Sequence, residues 1–289
     1  MDNMQILHRK KMYGRMFERI ELFFLYAILI IISACFVLPF LWLVSCSFKY
    51  PYELFTQPVQ WLPSELQFNN YINMFAYIPF MRYLGNTLII VFFNIVGSVL
   101  SNSFIAYGFS RLNWKGRDQV FVIVLVTMIL PFQVTMVPLF LLFQRIGWIG
   151  TFLPLTATAF FGNPFFIFLL RQFFLRLPHE LSEAARIDGA HELRIFWQII
   201  LPLARPAIAT VAIFAFMRTW NDFIGPLIFL SNDKLYTLSI GAMMIRSIIQ
   251  PNWELLMALG VVMVTPVLII FFLLQKYFIQ GIAMSGIKG

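Results

Sequence analysis

Six apolar runs, each long enough to cross a bilayer, decide what this chain can fold into. They cover roughly residues 22–48, 84–109, 120–143, 151–170, 204–230 and 255–275. A helix needs about 20 apolar residues to span the hydrocarbon core, and in lipid its backbone groups must be satisfied within the segment, so runs of this length predict a helical bundle. Charged residues make up 12% of the chain and hydrophobic ones 60%, a balance that excludes a soluble domain. The expected fold class is an all-α polytopic membrane protein with six transmembrane helices. The first run follows a basic leader, but its core is too long for a signal peptide and no small-x-small site follows, so it reads as an uncleaved span.

A net charge of +8 would suit a nucleic-acid partner if it were gathered in a basic domain. Here the positive residues lie in short segments between apolar runs, as topology signals do, and a nucleic-acid partner is excluded. One face collects Arg9, Lys10, Lys11, Arg15, Arg19, Arg111, Lys115, Arg117, Arg171, Arg176, Arg186, Arg194, Arg205, Lys276 and Lys288. The other holds only Lys49, Arg82, Arg145, Lys234 and Arg246, with Arg218 inside the fifth run. The positive-inside rule then places both termini in the cytoplasm, together with the loop between spans four and five. The expected organisation is a cytoplasmic tail over 1–21, a first span with its outer loop over 22–83, and a five-span core over 84–289. That core contains the cytoplasmic loop 171–206 and an outer segment 231–253, itself readable as a re-entrant piece.

Catalytic and metal chemistry find no residues to carry them. Cys35 and Cys46 are eleven residues apart in one apolar run, about 16 Å along a helix, which makes them free thiols. His8, His179 and His191 lack the spacing and company of a metal site. No G-x-x-x-x-G-K-[ST] pattern occurs, and no nucleophile, base and orienting acid recur in a recognisable spacing. The chain is therefore read as non-catalytic. Pro39, Pro131, Pro138, Pro154, Pro164, Pro226 and Pro266 punctuate the runs, and each removes a backbone donor and bends or ends a helix.

Against this background the stretch Ser182 to Pro202, "SEAARIDGAHELRIFWQIILP", stands out as charged and helical. Pro178 suits a helix start and Gly189 a helix stop, so the spacing predicts helices over 179–188 and 190–200 meeting at a corner. Leu193, Phe196, Trp197 and Ile200 fall on one face of the second. That helix alone can lie at the lipid headgroups. The first, with small Ala184 and Ala185 edged by Glu183, Arg186 and Asp188, gains nothing from an anionic leaflet and fits a protein partner better.

Glu183-Ala184-Ala185, followed by Gly189, Ile199 and Leu201-Pro202 at the motif's spacing, resembles the EAA loop of the membrane subunits of bacterial ATP-binding-cassette importers. "LPHELSEAARIDGA", "AFMRTWNDFIGPLIFL" and the terminal "GIAMSGIKG" are similar to the carbohydrate-uptake branch, which includes the smaller maltose-transporter membrane subunit, and the resemblance runs from about Asn86 to Gly289. It implies a permease of the bacterial cytoplasmic (inner) membrane whose residues 179–188 form a coupling helix docked on a separate ATPase. Glu183, Ala184, Ala185, Arg186, Asp188 and Gly189 would be the ATPase-coupling residues. The implied partners are a second homologous permease, two ATP-binding-cassette ATPase subunits and an extracytoplasmic sugar-binding protein reached by segment 231–253. This chain would bind no cofactor; ATP and Mg would be used by the partner ATPase.

Candidate translocation-path residues are Asn94, Gln133, Arg218, Trp220, Asn221 and Asp222. Intramembrane charge is costly and faces a cavity or a partner, although Arg218 and Asp222, at i and i+4, can also satisfy each other. Asn86, Asn94, Ser98 and Asn102 form a polar ridge that can bond neighbouring helices instead of solute. Trp61, Trp148, Tyr236 and Trp253 sit at membrane borders as an aromatic belt. Rival functions are the same machinery carrying a polyol phosphate or uronic-acid oligomer, an ion-coupled secondary transporter using Arg218 and Asp222, and a plain membrane anchor.

Overall fold

The computed structural model describes the backbone of residues 2–246 and 252–286, and side chains over 19–246 and 252–275. Lys288 and 247–251 of the expected outer segment lie outside the described residues, as do the side chains of Arg9, Lys10, Lys11, Arg15, Lys276 and the terminal motif. Every regular element among the described residues is helical. In chain order these are α1 (Asp2–Ser47), α2 (Asn69–Tyr77), α3 (Phe80–Ser110), α4 (Arg117–Val126), α5 (Phe132–Arg145), α6 (Leu153–Thr156) and α7 (Pro164–Arg176). There follow α8 (Glu180–Ile187), α9 (Glu192–Ile195), α10 (Leu201–Leu203), α11 (Arg205–Trp220), α12 (Ile224–Phe229), α13 (Leu238–Ile245) and α14 (Trp253–Gly286).

Among the described residues four stretches are long and apolar enough to cross a membrane: Arg19–Ser47, Phe80–Ser110, Leu153–Arg176 and Trp253–Gln275. The number rises to six when two bent pairs each count as one span. The third expected span is one of them, α4 and α5 meeting at 97°. Pro131 offers no N–H and pushes the residue before it out of the helical region, and Leu130 duly sits at ψ 113°. The other pair, Glu192–Leu203 with Arg205–Trp220, is bent by 80° next to Pro202 and Pro206. The fifth expected run, 204–230, is not one helix either: α11 stops at Trp220 and α12 starts anew at Ile224. Asp222, just before the restart, accepts the N–H of Gly225 in the first turn of α12 at 3.1 Å.

The chain divides into two compact units. The first comprises 1–73 and 252–261. Its polar interior is satisfied by the backbone: fully buried Lys49 donates to the Gln60 carbonyl at 2.5 Å and lies 4.0 Å over the Trp42 ring, while Asn70 donates to the carbonyls of Ser47 and Lys49. Buried Glu53 accepts from the hydroxyl of Ser64 and the N–H of Tyr50. Those bonds, the Ser64 hydroxyl foremost, hold its carboxyl below the ordinary value against the opposing effect of burial. Cys46 is a buried free thiol and Cys35 an exposed one.

The second unit comprises 74–251 and 262–289. Its main core packs Ala106 and Tyr107 of α3 and Phe166, Leu170 and Phe174 of α7 around Ile195, Phe196 and Ile200 and the α11 residues Ala207 and Val211. A second cluster joins Ile90, Phe143, Leu155 and Phe229. The ridge on α3 staples these elements: Asn86 donates to the carbonyls of Lys234 and Tyr236 at 2.9 Å each, Asn94 to that of Leu155 at 2.7 Å, and Asn102 accepts the N–H of Asn163 at 2.6 Å.

Candidate functional site

Two places in the second unit concentrate polar chemistry, the loop around α8 and a cavity beside α3. Pro178 cannot continue α7, and the chain re-enters a helix with Glu180 and Glu183 in the first turn and Arg186 in the last, each complementing the helix dipole. The helix ends in a Schellman motif: Gly189 donates to the Arg186 carbonyl at 3.0 Å and Ala190 to that of Ala185 at 2.9 Å. Gly189 takes φ 81°, and nothing lies within 4 Å of a Cβ placed there, so glycine is required by conformation and not by crowding.

One side of α8 is rooted and the other is free. Ser182 is 1% exposed and Ala185 packs against the main core. Glu183, Ala184, Arg186, Asp188 and Gly189 are exposed, and Ile187 is 87% exposed. After Gly189 the helical run is continuous from Glu192 to Leu203, close to the helix expected over 190–200, but its winding is not regular. A short α9 runs into a π-helical turn, Phe196–Ile200, whose wider winding shifts the buried stripe. Ile195, Phe196 and Ile200 are buried, while Leu193 and Trp197, expected on the same face, are exposed.

Polar ties hold this loop to α3. Arg186 pairs with Glu192 at 2.7 Å, and Glu192 accepts the Tyr107 hydroxyl at 2.5 Å. Its bond to Glu192 raises the Arg186 guanidinium above its ordinary value. Arg111, 5% exposed, donates at 2.6 Å each to the carbonyls of Phe174 and Leu177 and at 3.4 Å to that of Pro178. These carbonyls cluster at the end of α7, where that of Phe174 also accepts the Leu177 N–H at 3.2 Å, and a guanidinium with several donors suits such a cluster. The sequence alone marks Arg111 only as a topology charge and leaves Tyr107 and Glu192 unmarked.

A cavity of about 290 Å³ opens beside α3. Its polar lining includes Asn94, Ser98, Thr158, Arg218, Thr219 and Asp222. Of the six candidate path residues, Asn94, Arg218 and Asp222 therefore come together here. Gln133, Trp220 and Asn221 are not among the lining residues. Gln133 is exposed on α5, Asn221 donates back to the Met217 carbonyl at 2.8 Å, and buried Trp220 donates its indole N–H to the Met263 carbonyl at 3.0 Å. An Arg218–Asp222 ion pair is not among those the described residues form, which are Arg117–Asp118, Arg171–Asp118 and Arg186–Glu192.

Comparison with known proteins joins these features. The family described as "Binding-protein-dependent transport system inner membrane component" matches residues 94–284, a stretch that contains the 171–206 loop and most of the cavity lining. The "Arabinooligosaccharides transport system permease protein AraQ" of Halalkalibacterium halodurans is 34% identical over 88% of this chain and 91% of its own. The "Diacetylchitobiose uptake system permease protein NgcG" of Streptomyces coelicolor is 34% identical over 87% and 84%. Among solved structures, a bacterial ABC transporter involved in the import of the acidic polysaccharide alginate has a chain that matches with a TM-score of 0.80 and 26% identity. That match covers 90% of this chain and 97% of the other.

Proposed function

The chain belongs to the family of binding-protein-dependent transport system inner membrane components, and from that premise we propose that it is the permease subunit of an ATP-driven oligosaccharide importer. It forms half of a translocation path with a second, homologous permease. Both termini and the 171–206 loop face the cytoplasm, where α8 docks on one of two ATPase subunits, and an extracytoplasmic binding protein delivers the sugar. The observation that carries the coupling role is the asymmetry of α8: rooted through Ser182 and Ala185, and presenting Glu183, Ala184, Arg186 and Ile187 outward. A short helix fixed at its base with an exposed apolar tip suits a partner whose motion it must pass on. Closure of the ATPase dimer on ATP swings α8 and turns the cavity outward; hydrolysis returns it.

Two relatives named for oligosaccharide uptake support a neutral sugar as the solute. A second reading, an acidic oligosaccharide, is favoured by one observation: Arg218 lines the cavity and, although the Asp222 carboxylate lines it too, forms no salt bridge among the described residues, and a carboxylate on the solute would pair with it. The experiment is uptake of labelled neutral and uronic-acid oligosaccharides into vesicles holding the complete complex and its binding protein. Accumulation that needs ATP and survives collapse of the ion gradients supports the proposal. Accumulation driven by an ion gradient without ATP refutes it, and Arg218→Gln separates the two solutes by impairing only the acidic one.

A further inference from the structure

We infer that Tyr107, in the last turn of α3, and Arg111, the residue that caps that helix, form a two-point latch that makes α3 the lever between α8 and the cavity. The inference rests on the proposed docking of α8 on an ATPase, and adds the path by which motion leaves that helix. The two attachments flank α8. On the entering side Arg111 grips the carbonyls of Phe174, Leu177 and Pro178. On the leaving side Tyr107 holds Glu192, which in turn holds Arg186 of α8 itself. A single attachment leaves the loop free to pivot about it, whereas two attachments either side of α8 transmit both displacement and rotation.

α3 is built to carry that motion. It runs unbroken for 31 residues and is alone among the candidate spans in containing no proline, the usual cause of a sharp kink. Tyr107 lies nine positions from Ser98 and thirteen from Asn94, roughly 14 and 20 Å along a helix rising 1.5 Å per residue. Both of those residues line the cavity. The latch also accounts for the chemistry of its parts. Burying a guanidinium is costly unless it is hydrogen-bonded, and Arg111 reaches the carbonyls of Phe174 and Leu177 through one terminal nitrogen and that of Pro178 through the other, a pair of donor nitrogens that lysine does not have. Tyr107 and Arg111 are positioning residues: they touch no solute and act through α8 and α3.

The test uses the whole transporter, purified with its partner subunits and reconstituted in proteoliposomes with the ATPase side outward. Thr158→Cys, at an exposed position of the cavity lining, is introduced after Cys35 and Cys46 are replaced by serine, and its labelling by a membrane-impermeant methanethiosulfonate is followed with and without ATP and vanadate. In the parent the labelling rate changes when nucleotide is trapped. A hydrogen bond to a charged group contributes about a factor of ten or more to an equilibrium, so Tyr107→Phe reduces that nucleotide-dependent change by about tenfold. Arg111→Lys reduces it as well, while ATP hydrolysis continues in both. Glu192→Gln, which keeps an acceptor for Tyr107, retains more of the change than Glu192→Ala. The inference is overturned if Tyr107→Phe and Arg111→Lys keep the full change, or if hydrolysis, thermal stability and labelling fall together, since that is loss of structure and not of coupling. A parent that hydrolyses ATP with no change at Thr158→Cys overturns the lever while leaving the ATPase partnership intact. A parent with no ATPase bound overturns the underlying reading and the lever with it.

Discussion

Substituting Gly189 separates backbone strain from contact with a partner, because the structure assigns these two costs to different substitutions. The residue sits at φ 81°, where a side chain with a Cβ costs about 1–2 kcal/mol and asparagine less. No heavy atom lies within 4 Å of a Cβ there, so alanine and tryptophan meet the same strain and no crowding at the branch point. Each kcal/mol lowers a thermal midpoint by about 2–4 °C in a chain of this order of size. Thermal unfolding of the detergent-purified permease therefore ranks Gly189→Asn above Gly189→Ala, with Gly189→Trp close to alanine. Uptake follows a different order. Asparagine and alanine keep ATP-dependent uptake in the reconstituted complex, and tryptophan abolishes it by occupying the space the ATPase needs. Normal uptake by a well-inserted Gly189→Trp variant refutes the reasoning, and so does uptake that merely tracks the thermal midpoint across the series.

Three further outcomes are expected. In Gly241→Ala the new methyl meets the Tyr83 ring at 2.9 Å and Ile78 Cδ1 at 3.0 Å; Tyr83 is 1% exposed and has nowhere to go, so thermal stability falls by about 1–3 kcal/mol. Trp220→Phe loses the bond to the Met263 carbonyl and costs roughly 1–3 kcal/mol; uptake well below the thermal midpoint stays near that of the parent, whereas a solute-stacking role would show as weakened uptake at unchanged stability. Glu53 contributes stability through its depressed carboxyl: the contribution is present above the ordinary carboxylate value and is lost as pH falls through the lower folded one. Glu53→Gln flattens that acid limb in a pH series of thermal unfolding, and an unchanged limb contradicts the assignment.

The bundle was legible because hydrophobic run length reports directly on what can lie in lipid. The corner at Gly189 was legible too, since a glycine closing a helix has one common structural meaning. Interruptions were harder to place. Apolar run length cannot distinguish a straight span from α4 and α5 at 97°, although Pro131 lies at the break. Asp222, read as a path residue, also bonds the Gly225 N–H in the first turn of α12. The shifted stripe on 190–200 escaped because heptad-like spacing assumes regular winding, and the π turn at Phe196–Ile200 breaks that assumption. The latch escaped for a different reason. Tyr107 and Glu192 are 85 positions apart and Arg111 and Phe174 are 63 apart, and one sequence has no pattern that pairs residues over such separations.

Gentle extraction of the chain from its native membrane, followed by mass spectrometry of what accompanies it, tests the coupling role of α8 most directly. The account predicts a P-loop ATPase and a second permease with the parent, and with Ile187→Glu the permease without the ATPase, because a carboxylate then stands on the 87% exposed apolar tip of α8. Retention of the ATPase by Ile187→Glu at the parent's level contradicts that role, and so does recovery of the parent chain alone under conditions that keep such complexes whole.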